Sequence, residues 1–233
     1  MDANEKSKKA VGEYAVRFIQ QDMVVGIGTG STVYWFIEAL GRKVKEGLHI
    51  KAVPTSTRSK EQAAQSGIPL LVLNDVSSID ITIDGADEID HELNVIKGGG
   101  GALLQEKMVA AASGKLIIIA DYSKYVTQLG AVPLPVEVVP YGWKQVQRKI
   151  QHYYSTEVRL RMQENKPYIT DHGHYILDCH FGSIPDASSL SKELHNIPGV
   201  VEHGLFIHMV YAAVIGKEDG GIQTIERDIR SNA

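Results

Sequence analysis

The sequence is short of cysteine: among its 233 residues there is one, Cys179. No intramolecular disulfide can form, which fits a reducing compartment. Cys179 falls in the apolar stretch Tyr175-Ile-Leu-Asp-Cys-His-Phe181 and reads as a small buried hydrophobe. Long hydrophobic runs are missing as well, and none approaches the roughly 18 residues that a membrane span requires. The polar stretch Met1–Lys9 has no apolar core behind it, so it is not read as a secretory signal. A surplus of positive charge is absent: the formal net charge is −4, which argues against a partner made of phosphate backbone. The nine histidines show no metal-ligand spacing such as H-E-x-x-H, and all are read as non-ligands. These gaps point to a cytoplasmic globular protein with no nucleic-acid or membrane partner, and no cofactor is expected. Its length is enough to bury a core without staples.

What is present alternates. Ala10, Val11, Tyr14, Ala15, Phe18 and Ile19 recur at helical spacing, and Met23–Ile27 is a short apolar run ending at Gly28. Helix is expected again over Ser31–Leu40 and Arg58–Gln65, and strand over Ile50–Val53, Leu70–Leu73 and Ile79–Ile83. Ala102–Ala112 reads as helix and Leu116–Ala120 as the clearest buried strand. Strands that alternate with helices predict an α/β fold, an open, mostly parallel sheet flanked by helices. In such sheets ligands bind beyond the carboxyl ends of the strands. The places to look are therefore just after Ile27, Ile83 and Ala120.

The texture changes near residue 130. Val132-Pro-Leu-Pro-Val-Glu-Val-Val-Pro140 carries three prolines, which argue against helix and against most internal strand pairing. Beyond it a helix is expected over Trp143–Tyr154, strands near Val158, Tyr168 and Tyr175, and a helix over Asp186–His195. Ile207–Ile215 reads as a further strand and Gly220-Gly221 as a hairpin turn. The expected organisation is an α/β catalytic domain, 1–130 plus 207–233, and a smaller α+β domain, 131–206, serving assembly and walling the cleft.

Four constellations carry chemistry. Gly28-Thr-Gly-Ser-Thr32 follows a strand and opens a helix. Its glycines permit a tight turn, Ser31 or Thr32 can cap the helix, and backbone N–H groups there favour an anion. It is neither a dinucleotide fingerprint nor a P-loop, because the third glycine falls at Ser31 and no Gly-Lys-Ser/Thr follows; an ordinary capped turn has the same composition. Asp84-Gly-Ala-Asp87-Glu-Ile-Asp90 places carboxylates at another strand end, suited to holding hydroxyls or relaying protons, or simply to a solvated acidic turn. Lys97-Gly-Gly-Gly-Gly101 leads straight into a helix; four glycines are entropically costly and suit close approach of backbone to a ligand. On that helix Glu106 shares the apolar stripe of Ala102, Val109 and Ala110. Desolvation there would raise a carboxylate's pKa toward the range of a general base; a Glu at the stripe's edge, paired with Lys107, is the plainer alternative. Lys124 follows the strongest strand, and Lys8 and Lys9 precede the first helix.

Taken together, Val25-Gly-Ile-Gly-Thr-Gly-Ser-Thr32, Asp84-Gly-Ala-Asp-Glu-Ile89 and Lys97-Gly-Gly-Gly-Gly-Ala102 with Glu106-Lys107 resemble the three signature loops of the type A ribose-5-phosphate isomerases. Pro133-Leu-Pro-Val-Glu-Val138 and Ile197-Pro-Gly-Val-Val-Glu-His-Gly-Leu-Phe206 are similar to the family as well. The resemblance implies a metal-free aldose–ketose isomerase of the non-oxidative pentose phosphate branch. It implies Glu106 as catalytic base, with Asp84, Asp87 and Lys97 around the reacting carbons. It implies phosphate on Thr29, Gly30, Ser31 and Thr32, assisted by Lys8 and Lys124, and substrate contacts from Gly85, Ala86, Gly98, Gly99 and Gly100. It also implies a Rossmann-like fold with a small added domain, assembled as a homodimer or homotetramer. The chain departs from the pattern at Leu104 and Gln105, where many members carry threonine and arginine. Two other classes share the scaffold: a non-catalytic sugar-phosphate sensor, and an amino-sugar phosphate deaminase or coenzyme A transferase.

Overall fold

Short runs of β-branched residues, buried along most of their length, form the strands of a parallel sheet. The computed structural model describes residues 3–217 and 219–227. The chain divides into two compact units, numbered here with elements in chain order. The first unit is built from the segments up to Ala86, Gln105–Tyr125 and from His208 onward; the second from Asp87–Leu104 and Val126–Ile207.

The first unit holds β1 (Val24–Ile27), β2 (Lys51–Pro54), β3 (Ile81–Asp84), β6 (Leu116–Asp121), β14 (Ala212–Gly216) and β15 (Ile222–Glu226). They form one sheet in the order β15-β14-β6-β3-β1-β2. All neighbours run parallel except β14 and β15, an antiparallel hairpin. Its turn includes the hydrogen bond Gly220 N–H to Lys217 O at 3.1 Å; Glu218 lies outside the described residues. The helices of this unit are α1 (Ala3–Ala15), α2 (Ser31–Lys45), α3 (Thr57–Gln65) and most of α4 (Leu103–Ala111). One sheet face presents Val25, Ile27, Ile81, Ile83, Ile117, Ile119 and Val214 to Val11, Phe36, Ile37, Leu40 and Ala63 of α1, α2 and α3. On α4, Val109 packs with Val53 and Ile79 in a separate cluster.

The second unit holds two sheets and a short hairpin. β4 (Glu88–Ile89), β5 (Val95–Ile96) and β13 (Leu205–Phe206) form a small antiparallel sheet. β7 (Leu134–Val138), β8 (Glu157–Leu160), β11 (Tyr175–His180) and β12 (Val200–His203) form a four-stranded one in the order β12-β7-β11-β8. β9 (Met162–Gln163) pairs with β10 (Lys166–Pro167). Helices α5 (Trp143–Tyr154) and α6 (Ala187–His195) supply Val146, Ile150, Leu190 and Leu194 to a core with Leu134, Val136, Val138, Leu177 and Cys179.

Several elements differ from the sequence reading. The first helix starts at Ala3, so Lys8 and Lys9 lie inside it rather than before it; Glu, Lys and Ala form helix without an apolar stripe. Leu70–Leu73 is not a strand. It makes one bridge to Ala52, then turns into a 3-10 helix at Leu73 with Val72 63% exposed. The expected strand Ile207–Ile215 is confined to Ala212–Gly216, because His208 takes φ +58 and breaks extended backbone. The proline-rich stretch does pair internally: β7 lies between β12 and β11. Pro135 is tolerated because its carbonyl accepts from Gly204 N–H. Its missing N–H faces the same side, just past the end of β12.

Candidate active site

Strand order decides where the first unit can bind a ligand. After β1 the chain lays β2 on one side of it and β3 on the other, so the sheet's winding reverses between β1 and β3, where a crevice opens outside the carboxyl ends. Gly28 follows β1, and its N–H donates to Ile83 O at 2.9 Å. Asp84 ends β3 with a side chain fully buried. Its Oδ1 accepts the N–H groups of Thr29, at 3.1 Å, and Gly85, at 2.7 Å. This carboxylate therefore ties the two turns together. A Cβ on Gly28 would sit 2.6 Å from Asp84 Cα and closer still to its carboxylate, which is why glycine stands there.

The next residues start α2. Gly30, at φ +133, is the N-cap residue, and no side chain caps the helix. Ser31 and Thr32 were expected to cap; they lie within the first turn instead, leaving its N–H groups to be served from outside, which is the situation that favours an anion. Ser31 is exposed and Thr32 buried. Thr29 is buried and its Oγ1 lies 2.8 Å from both Thr55 Oγ1 and Ser56 Oγ. Ser56 in turn caps α3 in a reciprocal box with Ser59. A cavity of about 570 Å³ adjoins the turn, lined by Gly28, Thr29, Gly30 and Ser31 and by Arg58 and Ser59 of α3. The sequence assigned no firm role to Pro54-Thr-Ser-Thr-Arg-Ser59; its place directly after a strand's carboxyl end is what marks it.

Glu106 falls in the first turn of α4 with 4% of its surface exposed. Lys124 follows β6 in a 3-10 turn started by Asp121, whose Oδ1 accepts from Ser123 N–H at 3.0 Å. Among the described residues, neither Lys124 nor Lys8 on α1 makes a hydrogen bond or ion pair with the Gly28–Ser31 turn.

In the second unit the remaining candidates lie around β5. Lys97 follows β5, its N–H bonded to Gly204 O at 2.9 Å. Its side chain is 2% exposed, with Nζ 5.6 Å from the centre of the Phe206 ring. Asp87 Oδ2 accepts Gly99 N–H at 2.7 Å. The neighbouring acids of the motif do other work. Glu88, buried, accepts Gly130 N–H at 2.6 Å and Val132 N–H at 2.8 Å. Asp90 Oδ1 accepts Glu92 and Asn94 N–H at 2.9 and 2.8 Å and shapes the following turn.

Among the described residues one group brings metal-ligand atoms together: His195, Glu202 and His203. Leu205 N–H donates to His203 Nδ1 at 3.2 Å, so the proton of the neutral ring sits on Nε2. Nε2 faces Ser191 O at 3.0 Å. A neutral imidazole used this way has no lone pair left for a cation.

With this geometry in hand, likeness to known proteins decides the family. The model of ribose 5-phosphate isomerase A (phosphoriboisomerase A) matches residues 51–220. Ribose-5-phosphate isomerase A of Bacillus cereus is 54% identical over 214 residues, 91% of this chain and 97% of that one. The chain belongs to the ribose-5-phosphate isomerase A family. Solved isomerases have the same fold. A D-ribose-5-phosphate isomerase in complex with phospho-erythronic acid superposes with a TM-score of 0.93 at 40% identity, covering 97% of this chain and all of that one. Ribose 5-phosphate isomerase from Plasmodium falciparum gives 0.93 at 38% identity, covering 96% of this chain and 99% of its own. Family membership thus rests on whole-chain likeness, with the Asp84 turn and the Lys97 glycine loop inside it.

Proposed function

We propose that the chain interconverts D-ribose 5-phosphate and D-ribulose 5-phosphate, with Glu106 as the general base. Acting on the open-chain aldose, Glu106 removes the C2 proton, forming a cis-enediolate, and returns a proton to C1. The hydroxyl proton on O2 passes to O1, a transfer suited to Asp84 and Asp87. Lys97 and glycine-loop N–H groups meet the negative charge that develops on the former carbonyl oxygen; one such preorganised donor is worth about a hundred- to a thousandfold in rate. The phosphate rests on Thr29, Gly30, Ser31 and Thr32, assisted by Lys8 and Lys124. Gly85, Ala86, Gly98, Gly99 and Gly100 line the sugar. Phosphate binding, remote from the reacting carbons, supplies the energy that aligns them.

The observation that carries this reading is the buried Glu106 carboxylate in a chain 54% identical to a ribose-5-phosphate isomerase A. Proton transfer by carboxylates needs no metal, and we assign a cytoplasmic enzyme that works as a homodimer or homotetramer, with residues 131–206 serving assembly. Among the described residues no helix is long and apolar enough to cross a membrane. The deciding experiment follows ketose formation from ribose 5-phosphate in excess chelator, with light scattering on the same sample for the assembly. Turnover is expected to resist the chelator. Glu106→Gln is expected to abolish turnover while phospho-erythronic acid still binds; near-normal turnover in that variant refutes the assignment of the base.

A further inference from the structure

The glycine loop after Lys97 is held from behind by a side chain far along the chain. Arg161 lies just beyond β8, fixed by its N–H to Ile176 O at 2.8 Å and its carbonyl to Tyr168 N–H at 2.9 Å. Its guanidinium is mostly buried and grips Asp178 of β11 with two donors, Nε to Oδ2 at 2.9 Å and Nη2 to Oδ1. The third nitrogen, Nη1, donates to Gly98 O at 2.8 Å and to Gly99 O at 3.2 Å. Tyr168 closes the same side: its hydroxyl lies 3.4 Å from Gly100 O, and a Cβ on Gly101 would come within 2.5 Å of its Cζ.

A trans peptide points its C=O and the following N–H in opposite directions. With the Gly98 and Gly99 carbonyls turned onto Arg161, the N–H groups of Gly99 and Gly100 are turned away from it. The Gly99 N–H meets the Asp87 carboxylate at 2.7 Å. Arg161 therefore sets the direction of two consecutive peptide planes and, through one of them, the place of Asp87. Consecutive glycines lose the most conformational freedom on ordering, so this loop depends on an outside group for its direction. Lysine cannot replace the fork, since it is a point charge without the planar donor pattern that bridges a carboxylate and two carbonyls at once.

We propose that Arg161, oriented by Asp178 and backed by Tyr168, is a positioning residue for the isomerisation: it aims the glycine-loop N–H groups and Asp87 at the enediolate. This rests on the isomerase reading above. Such a role acts on the transition state more than on the anchored ground state. The test compares wild type with Arg161→Lys and Arg161→Ala. For Arg161→Lys, kcat is expected to fall about tenfold or more. KM for ribose 5-phosphate and inhibition by inorganic phosphate are expected to stay within about threefold of wild type, because the phosphate is held elsewhere. Affinity for phospho-erythronic acid, whose carboxylate stands in for the enediolate charge, should fall with kcat. Added methylguanidinium should restore part of the activity of Arg161→Ala, and methylammonium should not. An unchanged kcat in Arg161→Lys overturns the proposal. So does a loss shared equally by kcat, phosphate inhibition and melting temperature, which marks a structural role alone. If Arg161→Ala does not fold, the Arg161→Lys comparison decides by itself. A wild type without isomerase activity overturns the reading of function instead, and the two failures are told apart by that control.

Discussion

Asp84 shows how one residue can set local geometry and candidate chemistry together. Its buried carboxylate is spent partly on two backbone N–H groups, so the turn after β1 and the turn after β3 cannot move independently. Gly28 is the residue that permits this approach. In Gly28→Ala the new methyl meets Asp84 backbone as well as carboxylate, and backbone gives way less readily than a flexible side-chain end. The expected cost is about 1–3 kcal/mol of overpacking, or roughly 2–12 °C in melting temperature for a chain of this size, with a loss of kcat/KM of at least about tenfold. Calorimetry and a steady-state assay on one preparation check both; a variant that melts and turns over like wild type removes Asp84 from the centre of the site. At this scale the sequence was legible where chemistry is written locally. A carboxylate on an apolar stripe, Glu106, and a lysine before four glycines stand out without coordinates. Thr55, Ser56, Arg58 and Arg161 did not stand out. Their meaning depends on which strand end or loop they meet, and neither hydroxyl clustering nor a lone arginine specifies that.

Helices with a clear apolar period and ordinary end signals were located well from sequence: α5 occupies Trp143–Tyr154 and α6 begins directly after Asp186. The misses came where long-range pairing or turn geometry overrides local preference. Leu70–Leu73 has strand composition but only one bridge to join. Pro135 sits inside a sheet because a neighbouring strand ends beside it. α6 also offers a test at its own scale. The Ser189 N–H, reinforced by the Ser189 hydroxyl, holds the exposed Asp186 carboxyl below the usual carboxylate range. A group whose folded pKa is depressed adds stability that is present above its unfolded pKa and lost as pH falls through its folded one. Asp186→Asn keeps a capping side chain but removes the charge at the helix N-terminus. The variant should therefore melt slightly below wild type at pH 7, by about 1–3 °C, and the gap should close at pH values below the ordinary carboxylate range. A gap that stays constant or widens in acid denies the carboxylate its part in the cap.

At the scale of the whole molecule, the residues proposed for one reaction come from separated stretches: Thr29, Asp84, Glu106 and Lys124 belong to the first unit, Asp87 and Lys97 to the second. Alternation of helix and strand predicted the parallel sheet, and the rule of carboxyl ends predicted the turns to inspect. Strand order, which makes the β1–β3 junction the point of reversal, is a property of pairing across the chain and cannot be read from any window of it. The proposed part of Lys97 in holding the ligand has a consequence that the single thiol can report. Cys179 is fully buried in the core of the second unit, and burial pushes its thiol pKa up, so a thiol reagent reaches it only through opening of that unit. On the proposed reading, phospho-erythronic acid is held partly by Lys97 and the glycine loop and so stabilises the folded second unit by mass action. At about a hundred times its dissociation constant, Cys179 labelling should slow by about a hundredfold. The rate is measured with a chromogenic disulfide in native buffer, with and without the acid. Labelling that is indifferent to saturating ligand would mean that the second unit takes no share in holding it. Lys97 and Asp87 would then lose their place in the mechanism, while Glu106 and Asp84 would keep theirs.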